Sequence, residues 1–344
     1  MNLLLASTGS YPRIGDSAEL QILRRTFAAA DRGEKTAADL ADAENAMTRL
    51  AIEEQARVGL DVITDGQTRW YDPISHLAKK LSGVRIDGLL RFFDTNSYFR
   101  QPVLTARPER HRALVADEFR FACNALGTLA TPTGKAGKLK VKAVLTGPYT
   151  LAKFSLAEHP EMSTLEARVQ AYATALAIEL HALADAGAER IQVDEPAILK
   201  YPEDWQVFVQ GLDTLLRTRD GLKQKGKQIE ICLCVYFHDA GTLYEKLVAL
   251  PVDVLSMDFT YNPKLAELVA AAGSPKALGL GLLDGRNTRL EDVGAIARQV
   301  EKLLPKIAGG VAYLGTSCGL EYLPRDRAQL KLELLGEIRA ASGL

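Results

Sequence analysis

Eight short aliphatic runs, each followed by a longer amphipathic stretch, limit this chain's fold more than any other feature. The runs are residues 3–8, 61–64, 142–145, 190–193, 230–235, 252–257, 277–282 and 311–314. The segments between them carry helical periodicity. One is residues 164–186, rich in Ala, Leu and Glu and closed by Ala-Gly-Ala. Strands alternating with helices build parallel sheets, because each crossover helix returns the chain to the same end of the sheet. Eight such units predict a closed (β/α)8 TIM barrel of the α/β class, and 344 residues suit one barrel, read as a single domain over 1–344. No GxGxxG follows the first run, which removes the usual dinucleotide reading. The spacing is uneven, with roughly 75 residues between the second and third runs, far more than a crossover needs. An insertion over about 67–137 is therefore expected. Its aromatic stretch 91–100 reads as a hairpin over the barrel mouth, and residues 133–140 and 223–227 read as surface loops.

Charge and composition narrow the partners. The net charge is −1 and no Lys/Arg run stands out, so neither nucleic acid nor an anionic lipid surface is an expected partner. The opening Met-Asn-Leu-Leu-Leu-Ala-Ser is too short for a signal peptide. No apolar run approaches the roughly 20 residues of a membrane span, so a cytoplasmic location is expected. There are four cysteines. In a large cytosolic chain, clustered thiols point to metal or catalysis before disulfides. Cys123 reads as a small apolar filler.

In a barrel the chemistry lies where strands finish. Here the strand ends are polar: Ser7-Thr8-Gly9-Ser10, Thr64-Asp65-Gly66-Gln67, Thr146-Gly147-Pro148, Asp194-Glu195-Pro196, Cys232-Leu233-Cys234, Asp258, Asp284-Gly285-Arg286 and Ser317-Cys318-Gly319. Residues two apart on a strand share a face, so Cys232 and Cys234 both face the barrel axis if Leu233 faces the helices. Buried thiolates need a compensating cation. Zinc supplies one and favours sulfur-rich tetrahedral sets, which Cys318 and Asp258 would complete. The other reading makes these cysteines small fillers of the barrel layers.

In order, these motifs resemble the catalytic C-terminal half of cobalamin-independent methionine synthases, from residue 3 to about 328. The resemblance implies a zinc-dependent methyltransferase that converts homocysteine to methionine. It implies zinc ligands Cys234, Asp258 and Cys318. The family's histidine ligand position holds Cys232, which gives either a three-cysteine, one-aspartate site or a bystander thiol, with His238 as a possible substitute. His76, His111, His159 and His181 read as ordinary. By the same resemblance Asp194 takes the substrate ammonium and the backbone around Ser10 takes its carboxylate. Gln67 stands where the family has Glu. The family's Asp-x-His becomes Asp284-Gly285-Arg286, which leaves Asp284 as the candidate proton relay and frees Arg286 to bind an anionic group of the donor.

The full-length family carries a second, N-terminal barrel that helps bind methyltetrahydrofolate, and these residues have no counterpart of it. Phe154 stands at the position of the family's pterin-stacking Trp. A folate-independent donor is therefore expected, methylcobalamin or a corrinoid protein. The alternatives are alkyl transfer to another thiol such as coenzyme M, a uroporphyrinogen-decarboxylase-like barrel enzyme, or a metal- or corrinoid-binding chaperone. The sequence leaves the donor, the oligomeric state and any accessory protein open.

Overall fold

The computed structural model describes residues 2–129 and 139–343. Most of the expected loop 133–140, and the end of the expected insertion, lie outside them. All eight aliphatic runs become barrel strands: Asn2–Leu5, Val62–Ile63, a third in two segments Lys140–Val141 and Ala143–Thr146, then Arg190–Asp194, Glu230–Val235, Val254–Asp258, Ala277–Leu283 and Val311–Thr316. Seven of these strands form one parallel sheet, in which the first pairs with the eighth and the remaining neighbours follow in order down to the third.

The second strand closes the ring. Ser7 N donates to Val62 O at 2.9 Å and Asp61 N to Leu5 O at 2.8 Å on one side, and Lys142 N donates to Ile63 O at 2.9 Å on the other. With both edges paired, no strand edge of the barrel is left open among the described residues.

Alternation along the strands sorts the side chains into two sets. One register row runs Leu145, Val193, Leu233, Leu255, Leu278, Ala312, Leu3, apolar throughout and buried. The neighbouring row runs Thr146, Asp194, Cys234, Ser256, Gly279, Tyr313. The first set supplies the dispersion and hydrophobic energy of the core, at about 25 cal/mol per Å² removed from water. The second fills the lumen with polar groups that must find partners. Glycine at 279 is a packing requirement, since a Cβ there would lie 2.4 Å from Ser256 Oγ.

Local signals end the helices where the sequence suggests. Thr164 caps helix Leu165–Asp185 by accepting from Ala167 N at 3.2 Å, which satisfies one of the helix's free N–H groups. Between the second and third strands an antiparallel hairpin pairs Ser82–Arg91 with Tyr98–Glu109, and Leu156–Ala157 adds a third, parallel strand to it. The hairpin carries Phe92 and Phe93 of its turn and Phe99 of its second strand into a cluster with Phe154 and Phe237, with ring centroids 5.1 to 6.1 Å apart. This aromatic plug ties the inserted hairpin to the ends of the third and fifth strands.

Candidate active site

Ser10, Gln67 and Asp194, read from three separate strand ends, line one pocket of about 330 Å³ with Tyr236, Glu321 and Tyr322. Each is held from behind. Ser10 O accepts from Leu320 N at 2.8 Å, and a Cβ on Gly319 would lie 2.0 Å from Ser10 Oγ, so only glycine permits this approach. Gln67 follows Gly66 through two left-handed residues, φ 50° and 70° respectively. Asp65 Oδ1 accepts from Gln67 N at 2.9 Å and fixes that turn. The Gln192 side chain donates to Asp194 Oδ1 at 2.7 Å, and Tyr236 OH donates to Asp194 Oδ2 at 3.3 Å.

Burial pushes the Asp194 carboxyl up to about 7, against the opposing pull of Gln192, Lys142 and Tyr236. Burial also raises Glu321, with Arg13 opposing. The pocket therefore has two carboxyl groups whose ionised forms are starved of solvation, which is an environment suited to a bound cation. It opens into a wider cleft of about 1770 Å³ that shares Glu321 and Tyr322 and carries Arg13, Tyr71 and Tyr98 on its walls.

Glu195, next in sequence to Asp194, has a different task. It accepts from Tyr149 N at 2.9 Å, Thr150 N at 2.7 Å and Thr150 Oγ1 at 2.6 Å. It thus binds the start of helix Pro148–Lys153, satisfying N–H groups that have no partner inside the helix.

The cysteines do not gather. Cys232 lines a separate lumen cavity of about 540 Å³ with Lys142, Arg190 and Gln192. Cys234 pairs in register with Ser256, and Asp258 lies two residues farther along the sixth strand. Cys318 Sγ donates to Gly319 O at 3.4 Å. Burial lifts the Cys234 and Cys318 thiols well above their ordinary range, and lifts Cys232 to about 12. Asp258 Oδ1 accepts from Thr260 N, Thr260 Oγ1 and Tyr261 N at 2.8, 2.7 and 3.1 Å. Its Oδ2 is buried without a hydrogen bond and faces Arg286 Nη2 at 3.8 Å. Asp284 lines a shallow groove with Thr260, Asn287 and Glu291, away from the Ser10 pocket. His238 packs its ring against Phe93 and Tyr261. Phe154 lies within the aromatic plug.

Tyr236, Glu321 and Tyr322 were not singled out from the sequence. Alternation beyond Cys232 and Cys234 points to Tyr236. Glu321 follows Cys318 by three residues, within the same polar strand end.

Residues 4–341 match the family model described as "Cobalamin-independent synthase, Catalytic domain". The chain belongs to that family. It is therefore an enzyme of the methyltransferase class. A protein named methionine synthase from Saccharolobus solfataricus is 27% identical over 325 residues, covering 94% of this chain and 90% of that one. One of the same name from Sulfolobus acidocaldarius is 28% identical over 330 residues, covering 94% and 87%. The structure of a B12-independent methionine synthase from Shewanella sp. W3-18-1 superposes with a TM-score of 0.74 at 18% identity, covering 99% of this chain and 97% of that one.

Membership in a cobalamin-independent family overturns the expected methylcobalamin or corrinoid donor, and with it the corrinoid partner. The decarboxylase-like alternative falls too. No described helix is long and apolar enough to cross a membrane. The zinc that the family implies is tested by the donor set. Among the described residues no three His, Cys, Asp or Glu side chains converge where they could hold a metal ion. Cys318 lies near Asp258 and Cys234 near Cys232, but the four do not form one donor set, and the one free carboxylate oxygen among them faces a guanidinium. The residues present do not fit the metal, and no step below passes through one.

Proposed function

We propose that this chain methylates the thiol of homocysteine to form methionine. The observation that carries the proposal is the meeting of Ser10, Gln67 and Asp194 with Glu321 in one small acidic pocket, together with the family. An α-amino acid presents an ammonium and a carboxylate at one end. Asp194 and Glu321 accept the ammonium, and the Ser10 hydroxyl donates to the carboxylate, while Gln67 contributes polar contacts without charge. The wider cleft beside Tyr322 admits the methyl donor. With corrinoids set aside, methyltetrahydrofolate is the donor to assay first. Such an enzyme would work in the cytoplasm.

A sulfonate thiol such as coenzyme M has no ammonium, and the two carboxylates would repel its anion. Calorimetric titration with L-homocysteine and with coenzyme M separates the two readings. Homocysteine is expected to bind. Asp194→Asn should weaken it tenfold or more, about 1.4 kcal/mol. Methionine formation is then assayed with methyltetrahydrofolate. Tighter binding of coenzyme M, or homocysteine affinity indifferent to Asp194→Asn, would overturn the proposal.

A further inference from the structure

We infer that the thiol-bearing end of this barrel holds no transition metal, and that the Arg286 guanidinium is the resident positive charge facing Asp258. Four observations support this together.

The sulfurs have separate surroundings. Cys232 lines the lumen cavity, Cys234 is in register with Asp194 and Ser256, and Cys318 spends its proton on the Gly319 carbonyl. Cys232 and Cys234 share one face of the fifth strand, but among the described residues no third His, Cys, Asp or Glu side chain joins them in a set that could hold an ion.

The second oxygen of Asp258 makes no hydrogen bond but already faces a cation. Three donors occupy Oδ1, and Oδ2 is left to Arg286 Nη2 at 3.8 Å. A divalent ion on Oδ2 would have to displace a like-charged neighbour.

Arg286 is held in place. Its guanidinium lies 5.5 Å from the Phe237 ring centre and 5.8 Å from that of Tyr261. Asp284 Oδ1 accepts from its backbone N at 2.9 Å and lies 3.7 Å from its Nε. The guanidinium makes no hydrogen bond at its Nε, and the two aromatic faces and two carboxylates around it set its place.

The turn that delivers Arg286 is fitted to the last cysteine. A Cβ on Gly285 would lie 3.0 Å from Cys318 Sγ and 2.9 Å from Cys318 O. Gly285 N also donates to Ser317 Oγ at 3.1 Å. The Cys318 strand end and the Arg286 turn are thus one packed unit, and the charge it presents to Asp258 is an arginine's. Unlike a metal, this cation cannot exchange a ligand for an incoming thiol.

The inference concerns the same face as the proposed reaction but does not require it. The test is metal content by elemental analysis of the full chain, after dialysis against one equivalent of zinc and then gel filtration, with a melting curve in the presence and absence of chelator. Well under one zinc per chain and no chelator-dependent shift are expected. Asp258→Asn and Cys318→Ser should leave the metal content unchanged, and any zinc that survives both substitutions lies elsewhere on the molecule. Removing the cation with Arg286→Ala should lower the melting temperature, and Arg286→Lys should recover part of it. About one zinc per chain, released by Asp258→Asn or Cys318→Ser, would overturn the inference. If Cys318→Ser fails to fold, Asp258→Asn and the wild-type stoichiometry still decide. Homocysteine binding in zinc-free buffer is read separately, so a failure of the proposed substrate leaves the metal result standing.

Discussion

Gln192 fixes Asp194, donating one amide hydrogen to Asp194 Oδ1 at 2.7 Å and the other to Thr8 O at 2.6 Å. Its amide oxygen accepts from Lys142 Nζ. With all three positions engaged, the amide has one orientation, and the carboxyl it holds points into the pocket with Tyr236 on its other oxygen. An acid that is buried but held this firmly becomes a sensor of what enters beside it.

The first prediction is a pH dependence. Asp194 is raised to about 7, chiefly by burial, against about 3.9 in an unfolded chain. Between those values the folded protein keeps a proton that the unfolded chain has released. The stability this group contributes is therefore greatest below about 4, falls as pH rises toward 7, and is level above it. Urea unfolding at pH 5, 6 and 8 should show this decline, and Asp194→Asn should flatten part of it and be more stable than wild type at pH 8. Glu195, also raised to about 7 by burial, and Asp65, raised to about 6, contribute to the remaining slope. Homocysteine affinity should move the other way, rising through pH 7 in the wild type and not in Asp194→Asn. A variant with the wild-type slope in both measurements would sink this assignment.

The second prediction separates the adjacent acids. Glu195 accepts three hydrogen bonds at the start of helix Pro148–Lys153. Glu195→Ala strands two buried N–H groups, and the expected loss is about 2–4 kcal/mol in a denaturant titration. Gly147→Ala should be comparably harmful, since its Cβ would lie 2.2 Å from Glu195 Oε1. Asp194→Asn, by contrast, should change ligand binding more than folding. Equal stability loss in the two acid variants would show that the Asp-Glu pair is structural throughout.

How much of this was legible follows from what each signal depends on. The fifth strand was read at its observed bounds, Glu230–Val235, because an aliphatic run between polar turns depends only on local pattern. Ser10, Gln67 and Asp194 meet because strand ends of a closed barrel must converge, so topology alone brings them near each other. The cysteines fail the same logic. Alternation gives Cys232 and Cys234 a common face, but it does not give them a common depth along the strand. Arg286 was left without a partner because its direction comes from a turn packed on Cys318, a contact between residues distant in sequence. The Glu195 contacts were hidden for a related reason, since their partners lie 45 and 46 residues away.

A third prediction concerns the C-terminal helix Arg325–Ala341. Arg325 is buried, with Nη2 at 2.9 Å from Glu54 Oε2 and Nε at 3.2 Å from Oε1, and it also donates to Pro12 O. Removing one partner of a buried pair leaves an uncompensated charge, costing about 3–5 kcal/mol. Arg325→Ala should lower the unfolding midpoint by that amount. Arg325→Met with Glu54→Leu should recover most of it, as a double-mutant cycle by urea unfolding would report. Additive losses in the double variant would refute the pairing.

The last prediction isolates the pocket from the barrel. Gly319 touches Ser10 so closely that a Cβ would lie 2.0 Å from Ser10 Oγ. Gly319 has no left-handed φ to protect, and an alanine Cβ would meet the Ser10 side chain and crowd Ser10 N at 3.0 Å. Gly319→Ala should therefore fold with a loss of about 1–3 kcal/mol while pushing the Ser10 hydroxyl out of its position. Homocysteine affinity should drop about tenfold or more, and Ser10→Ala in the same background should cost nothing further, since the hydroxyl is already misplaced. Calorimetric titration of the two single variants and the double variant measures this coupling. If the two losses add, Ser10 does not act through the hydroxyl that Gly319 admits.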